Sequence, residues 1–163
     1  MEELLKRVYS SKVLTRVLKI ASVACVVITL PAFMLLLIKS IMLSPTSVAR
    51  LLLITGVPFV AVSLLRRLLD LPRPYEIYTF YDTPPKERQG RSFPSRHVFS
   101  ISLIGTVAVG AYPAVGAVLL ILTLILAISR VLLGIHFLRD VIAGGLIGIF
   151  SGVIGLFVAS PFV

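Results

Sequence analysis

Hydrophobic and polar positions along this chain do not alternate; they fall into long blocks. Apolar runs cover residues 20–39 and 45–65, and a third stretch, Val98 to Ser129, carries no charge. About 20 apolar residues at 1.5 Å each cross the ~30 Å hydrocarbon core of a bilayer. The third stretch is too long for one helix. Ala111-Tyr112-Pro113-Ala114 is its natural break, because a proline pushes the preceding residue out of helical dihedrals, so spans are expected over 97–112 and 114–133. A last run, 139–160, completes the set. The pattern predicts an all-α membrane protein with about five transmembrane helices in a single integral-membrane domain, residues 1–163.

Two regions depart from the apolar blocks. Residues 1–19 place Leu4, Leu5, Val8, Leu14, Val17 and Leu18 at helical spacing among Lys6, Arg7, Lys12, Arg16 and Lys19. This predicts an amphipathic interfacial helix running into the first span. Residues 66–96 hold charges, five prolines and the aromatics Tyr75, Tyr78, Phe80 and Tyr81. That segment is too polar to cross lipid and reads as a loop with one short interfacial helix. Within the second span, Gly56 and Pro58 predict a kink. Gly144, Gly148 and Gly152 form a small-residue ridge on the last span, suited to close helix packing inside the bundle or between two copies.

Composition agrees with the pattern: 58% of residues are hydrophobic and only 14% charged. The net charge of +9 would suggest nucleic acid in a soluble protein. Here it reflects basic loops at a membrane and attraction to anionic lipid, so no nucleic-acid partner is expected. The one cysteine, Cys25, sits mid-run as a small hydrophobe and implies no disulfide framework.

With five spans, the 66–96 loop and the turn between the fourth and fifth spans share one membrane face. Those regions hold both histidines and most charge outside the N-terminus, in three clusters: Arg66 with Arg73-Pro74, then Pro94-Ser95-Arg96-His97, then Ser129-Arg130 with His136 and Asp140. Ionisable residues at membrane depth are costly and point to function. His136 and Asp140 are spaced to meet on one helix face. A carboxylate there would fix the imidazole tautomer and leave the other nitrogen free to attack. Gly134 is a candidate helix end that would turn Arg130 back beside His136. Guanidinium forks match phosphate oxygens, and several together suit phosphoryl transfer. A non-catalytic membrane protein, a small transporter or lipid-binding module, could use the same charges to hold an anion.

The clusters carry a resemblance. The chain resembles the type-2 phosphatidic acid phosphatase superfamily, whose signature reads KxxxxxxRP, then PSGH, then SRxxxxxHxxxD. Here the parts read RRLLDLPRP, with Arg66 at the Lys position, then PSRH, with Arg96 at the Gly position, then SRVLLGIHFLRD, which fits throughout. The resemblance implies a phosphatase needing no metal or cofactor. His136 would attack phosphorus to form a phosphohistidine, Asp140 would orient it, and His97 would protonate the leaving oxygen and then activate water. Arg66, Arg73 and Arg130 would hold phosphate oxygens, with Ser95 and the amides near it completing the anion site. Arg96, where the family has Gly, is expected to take helical dihedrals and reach a second anionic group or a lipid headgroup. The family core usually has six spans, so one peripheral helix is missing here or reduced to the N-terminal segment. Expected substrates are membrane lipid phosphates: isoprenoid phosphates or diphosphates such as undecaprenyl diphosphate, or glycerophospholipid phosphates such as phosphatidic acid and phosphatidylglycerol phosphate. Counting Lys and Arg outside the spans predicts a multi-pass cell-membrane protein with its site on the cytoplasmic face. The family more commonly works on the opposite face.

Overall fold

The computed structural model describes residues 2–78 and 90–162, so Phe80 and Tyr81 of the expected loop lie outside the described residues. Seven helices follow one another in the described residues: α1 (Glu2–Ser10), α2 (Lys12–Leu43), α3 (Pro45–Leu69), α4 (Pro74–Ile77), α5 (Arg96–Ala111), α6 (Pro113–Leu132) and α7 (Leu138–Ala159). Helices α2, α3, α6 and α7 are long and apolar enough to cross a membrane. The fifth candidate span, α5, has 16 residues, or about 24 Å. It ends at Ala111, just before Tyr112-Pro113, and it is the central post of the bundle. Phe99, Ile101, Leu103, Val107 and Ala108 are all buried, and α2, α3, α6 and α7 pack around it. The outer helices turn large apolar side chains outward, such as Phe157 and Met42, as a lipid-solvated surface requires.

The N-terminal expectation needs correction. Residues 1–19 do not form one interfacial helix; the chain breaks at Ser11, and Lys12 to Lys19 belong to the first long helix. The reason is local hydrogen bonding. Ser11 Oγ caps α2 by accepting from Leu14 N (3.3 Å), and Thr15 Oγ1 donates back to Val8 O (3.1 Å). The corner folds α1 over the end of the bundle, where Leu5 and Val8 are buried and Val8 packs with Leu18, Leu133 and Ile135. The second span also runs further than the pattern predicts. Helix α3 continues to Leu69, through Gly56 and Pro58, and so carries Arg66 on its last turn.

The glycine ridge serves packing within the chain. A Cβ on Gly144 would lie 2.5 Å from Ser95 O, and one on Gly152 would lie 2.7 Å from the Thr106 Cβ. Both contacts are with α5 or its cap, and α5 against α7 is the most extensive helix pair. At the end of the bundle away from α1, two cations close helix termini. Lys39 Nζ donates to Ala111 O (3.1 Å) at the end of α5, and Arg50 donates to Ser160 O (3.3 Å) after α7. Lys39 also lies over the rings of Tyr112 and Phe162 at 4.9 and 5.3 Å.

Candidate active site

At the α1 end, α6 stops at Leu132 and the chain reverses through Gly134, whose φ of +62° suits glycine. The amides of Ile135 and His136 both donate to Arg130 O, at 3.0 and 3.3 Å. This turn presents His136 just before α7 begins. His136 and Asp140 therefore do not share a helix face, which corrects the sequence reading. Asp140 is in the first turn of α7 and reaches back: its Oδ2 accepts from Phe137 N (3.0 Å) and sits 3.6 Å from His136 Nδ1. The carboxylate caps its own helix and faces the imidazole at once.

Sequence reasoning missed the third member of this group. Ser92 Oγ donates to Asp140 Oδ2 and lies 3.4 Å from His136 Nδ1. Because the hydroxyl proton is given to Asp140, the serine oxygen can accept from Nδ1–H, leaving Nε2 unprotonated. Ser92, His136 and Asp140 are all buried, the last with no exposed surface. Burial holds the imidazole pKa below its ordinary value. The charges of Arg73 and Arg66 push the same way, and Asp140 opposes them. The group is a neutral, oriented imidazole amid cations.

A second missed residue builds the frame. Glu76 Oε2 accepts from Arg73 N (3.2 Å) and its Oε1 from Gly90 N (2.6 Å), while Arg73 Nε donates to Gly90 O (3.0 Å). Ser92 N donates to Leu71 O (2.9 Å), so the two described ends of the loop run side by side. Ser92 and Glu76 lie outside any catalytic spacing. Their only sequence signal is a polar side chain close to a charged cluster.

The predicted residues are treated unequally. Arg66, Arg73 and Arg130 are all buried, which is costly for a cation. Arg66 donates to the carbonyls of Ser92 and Pro94, so it fixes the loop that carries Ser92. Ser95 is wholly buried at the cap of α5, and its N donates to Asp140 O (2.9 Å). That bond joins the first turns of α5 and α7, and half-buried His97 is the second residue of α5. Arg96 is not drawn into the buried cluster. It begins α5 in helical conformation, is exposed, and lies 5.7 Å over the Phe59 ring. The turn of α5 that buries Ser95 points the next side chain towards α3.

A His–Asp–Ser group is thus buried within the electrostatic reach of Arg66 and Arg73. A family model for the PAP2 superfamily matches residues 47–160. The chain belongs to the PAP2 superfamily. Its fold is similar to the crystal structure of LpxE from Aquifex aeolicus, at 25% identity and TM-score 0.71, covering 95% of this chain and 93% of that one. It is also similar to the first transmembrane PAP2-type phosphatidylglycerolphosphate phosphatase from Bacillus subtilis, at 20% identity and TM-score 0.50, over 93% of this chain and 88% of that one. Among curated protein sequences, none matches this chain. The site of this PAP2 protein sits within the matched residues, and the chain is a multi-pass membrane protein of a phosphatase family.

Proposed function

We propose that this PAP2 protein hydrolyses the phosphomonoester or diphosphate of a membrane lipid through a phosphohistidine on His136. The observation that carries the reading is the buried Ser92–His136–Asp140 group beside Arg66 and Arg73. His136 Nε2 attacks phosphorus as the bond to the lipid oxygen breaks, and His97 gives that oxygen its proton. Neutral His97 then takes a proton from water, which attacks the phosphohistidine and releases inorganic phosphate with His136 restored. Arg73 and Arg130 hold the charge that builds on the phosphoryl oxygens. Arg66 shares that field while holding the Ser92 loop. The chemistry uses side chains alone, so turnover should persist in EDTA. Isoprenoid phosphates and diphosphates, phosphatidic acid and phosphatidylglycerol phosphate all present the required group on an apolar tail.

The test is phosphate release from a panel of those lipids by purified protein, with His136→Ala as control. Acid-labile, base-stable phosphate trapped on wild-type protein and absent from His136→Ala would identify the intermediate. An anion-binding protein would bind the same lipids and release nothing, and that outcome would end the proposal.

The site is proposed to face the cytoplasm, because α1, with Lys6 and Arg7, packs at the site end of the bundle. Single cysteines replacing exposed Ser10 at that end and exposed Thr46 at the other decide it. In intact cells an impermeant thiol reagent should label Thr46→Cys and spare Ser10→Cys; the reverse labelling places the site outside.

A further inference from the structure

Helices α6 and α7 both lean on α5 and pack only lightly on each other. Between them is an apolar groove of about 610 Å³. Its mouth includes Val98, Val131 and Val141, and each of these directly follows a site residue: His97, Arg130 and Asp140. From Leu132 to Leu120 the groove follows roughly 18 Å of α6, close to the ~15 Å depth of one bilayer leaflet. Gly145 forms part of its wall. Gly144 must be glycine to let Ser95 approach, but Gly145 has room: a Cβ there would meet only Val98 Cγ1, at 3.8 Å. Packing therefore does not require glycine at 145; a side chain there would enter the groove beside its mouth.

We propose that this groove holds one hydrocarbon chain of the substrate while its phosphate is at the His136 cluster, and that Gly145 keeps the entrance open to long chains. The inference rests on the lipid phosphatase reading, since a phosphate fixed at the mouth must send its tail into an apolar space. Size fits a tail: ligand clefts run to about 300–1,000 Å³. A smaller groove, about 240 Å³, lies between α2, α3 and α5 with Phe33, Gly56 and Phe59 on its wall. It is the competing exit, and Gly56 is equally open, with nothing within 4 Å of a Cβ. It adjoins exposed Arg96 through Phe59, not the buried cluster.

Two glycine variants separate the grooves. Substrates are dipalmitoyl and dibutyryl phosphatidic acid, and farnesyl and dimethylallyl phosphate, in detergent micelles. Gly145→Leu should lower kcat/KM for the long member of each hydrolysed pair by about tenfold, and leave the short member within about twofold. Gly56→Leu should change long and short alike. Unchanged turnover of the short substrate shows that Gly145→Leu is folded, and Ala127→Leu, facing the same groove, provides a second obstruction. Equal losses for both chain lengths, or selective loss only in Gly56→Leu, overturns the proposal. Wild-type protein that releases phosphate from no lipid defeats the phosphatase reading instead. The groove is then decided by crosslinking with a phosphatidic acid bearing a diazirine in its chain: adducts on α6 and α7 support it, and adducts confined to α3 overturn it.

Discussion

The two ends of this bundle contain the same kinds of residue and use them differently. At one end Arg66, Arg73 and Arg130 are buried, and the charges of Arg73 and Arg66 act on a buried histidine beside its carboxylate. At the other, Lys39 and Arg50 each close the end of a helix on a carbonyl, with aromatic rings beneath Lys39. A helix C-terminus offers unsatisfied carbonyls and negative potential, so a cation there is fully used by the fold. The site end offers a turn that presents an imidazole and a loop that brings a hydroxyl, and there Arg66 and Arg73, besides holding loop carbonyls, also set the charge felt by that imidazole. Basic charge near a membrane thus means little until the backbone shows what it faces.

The contrast can be broken most severely at His136. His136→Ala should lower kcat for lipid phosphate by at least about three orders of magnitude, with thermal stability retained. A variant that kept a tenth of its activity, measured by phosphate release, would reduce the site end to a structural role like its opposite. Asp140→Asn should reduce kcat by roughly a hundredfold or more through loss of orientation. It also removes the influence that opposes the downward shift of the His136 pKa. Because a lowered pKa keeps the imidazole neutral to lower pH, the acid limb of kcat/KM in wild type should lie below the ordinary histidine range of about 6.5. In Asp140→Asn that limb should move lower still; movement upward would contradict the assignment.

Ser92→Ala tests the residue that sequence reasoning missed. Losing a hydrogen bond to a charged group is worth about 1.5–3 kcal/mol, so kcat should fall roughly tenfold to a hundredfold with KM little changed. Ser92→Thr, which keeps the hydroxyl, should restore part of it. Lys39→Met sharpens the other side of the comparison. It should cost about 1 kcal/mol of stability in thermal unfolding and leave kcat/KM unaltered. An effect of similarly small size is expected from Tyr9→Phe. Tyr9 OH donates to Leu133 O (3.1 Å) and ties α1 to the turn that presents His136. Removing it should cost roughly twofold to tenfold in kcat, following a net hydrogen-bond value of about 0.5–1.5 kcal/mol.

The helices were legible because lipid imposes a simple rule: a spanning segment must be apolar and must satisfy its own backbone. The same rule made Arg66, Arg73, Arg130, His136 and Asp140 conspicuous, since their charge is costly there. What was not legible lay in the connections. The His136–Asp140 spacing fits a helix face, yet Gly134 and the capping carboxylate place His136 in a turn instead. The N-terminal pattern continued through Ser10-Ser11, and a side-chain cap broke it. Arg96 stood in the middle of a matching motif, and the helix it begins directs it to Phe59.

By itself, the sequence determined an all-helical membrane protein, the apolar runs that cross it, and the family to which its spaced charges belong. These follow from composition and from the order of residues, which act locally or through the solvent. Only the tertiary structure decided that Ser92 joins His136 and Asp140, that the glycine ridge packs inward on α5, and that α6 and α7 leave a groove beside the site. Each depends on two segments distant in sequence meeting at an ångström scale, and that meeting is set by helix packing and turn geometry, not by any one segment's pattern.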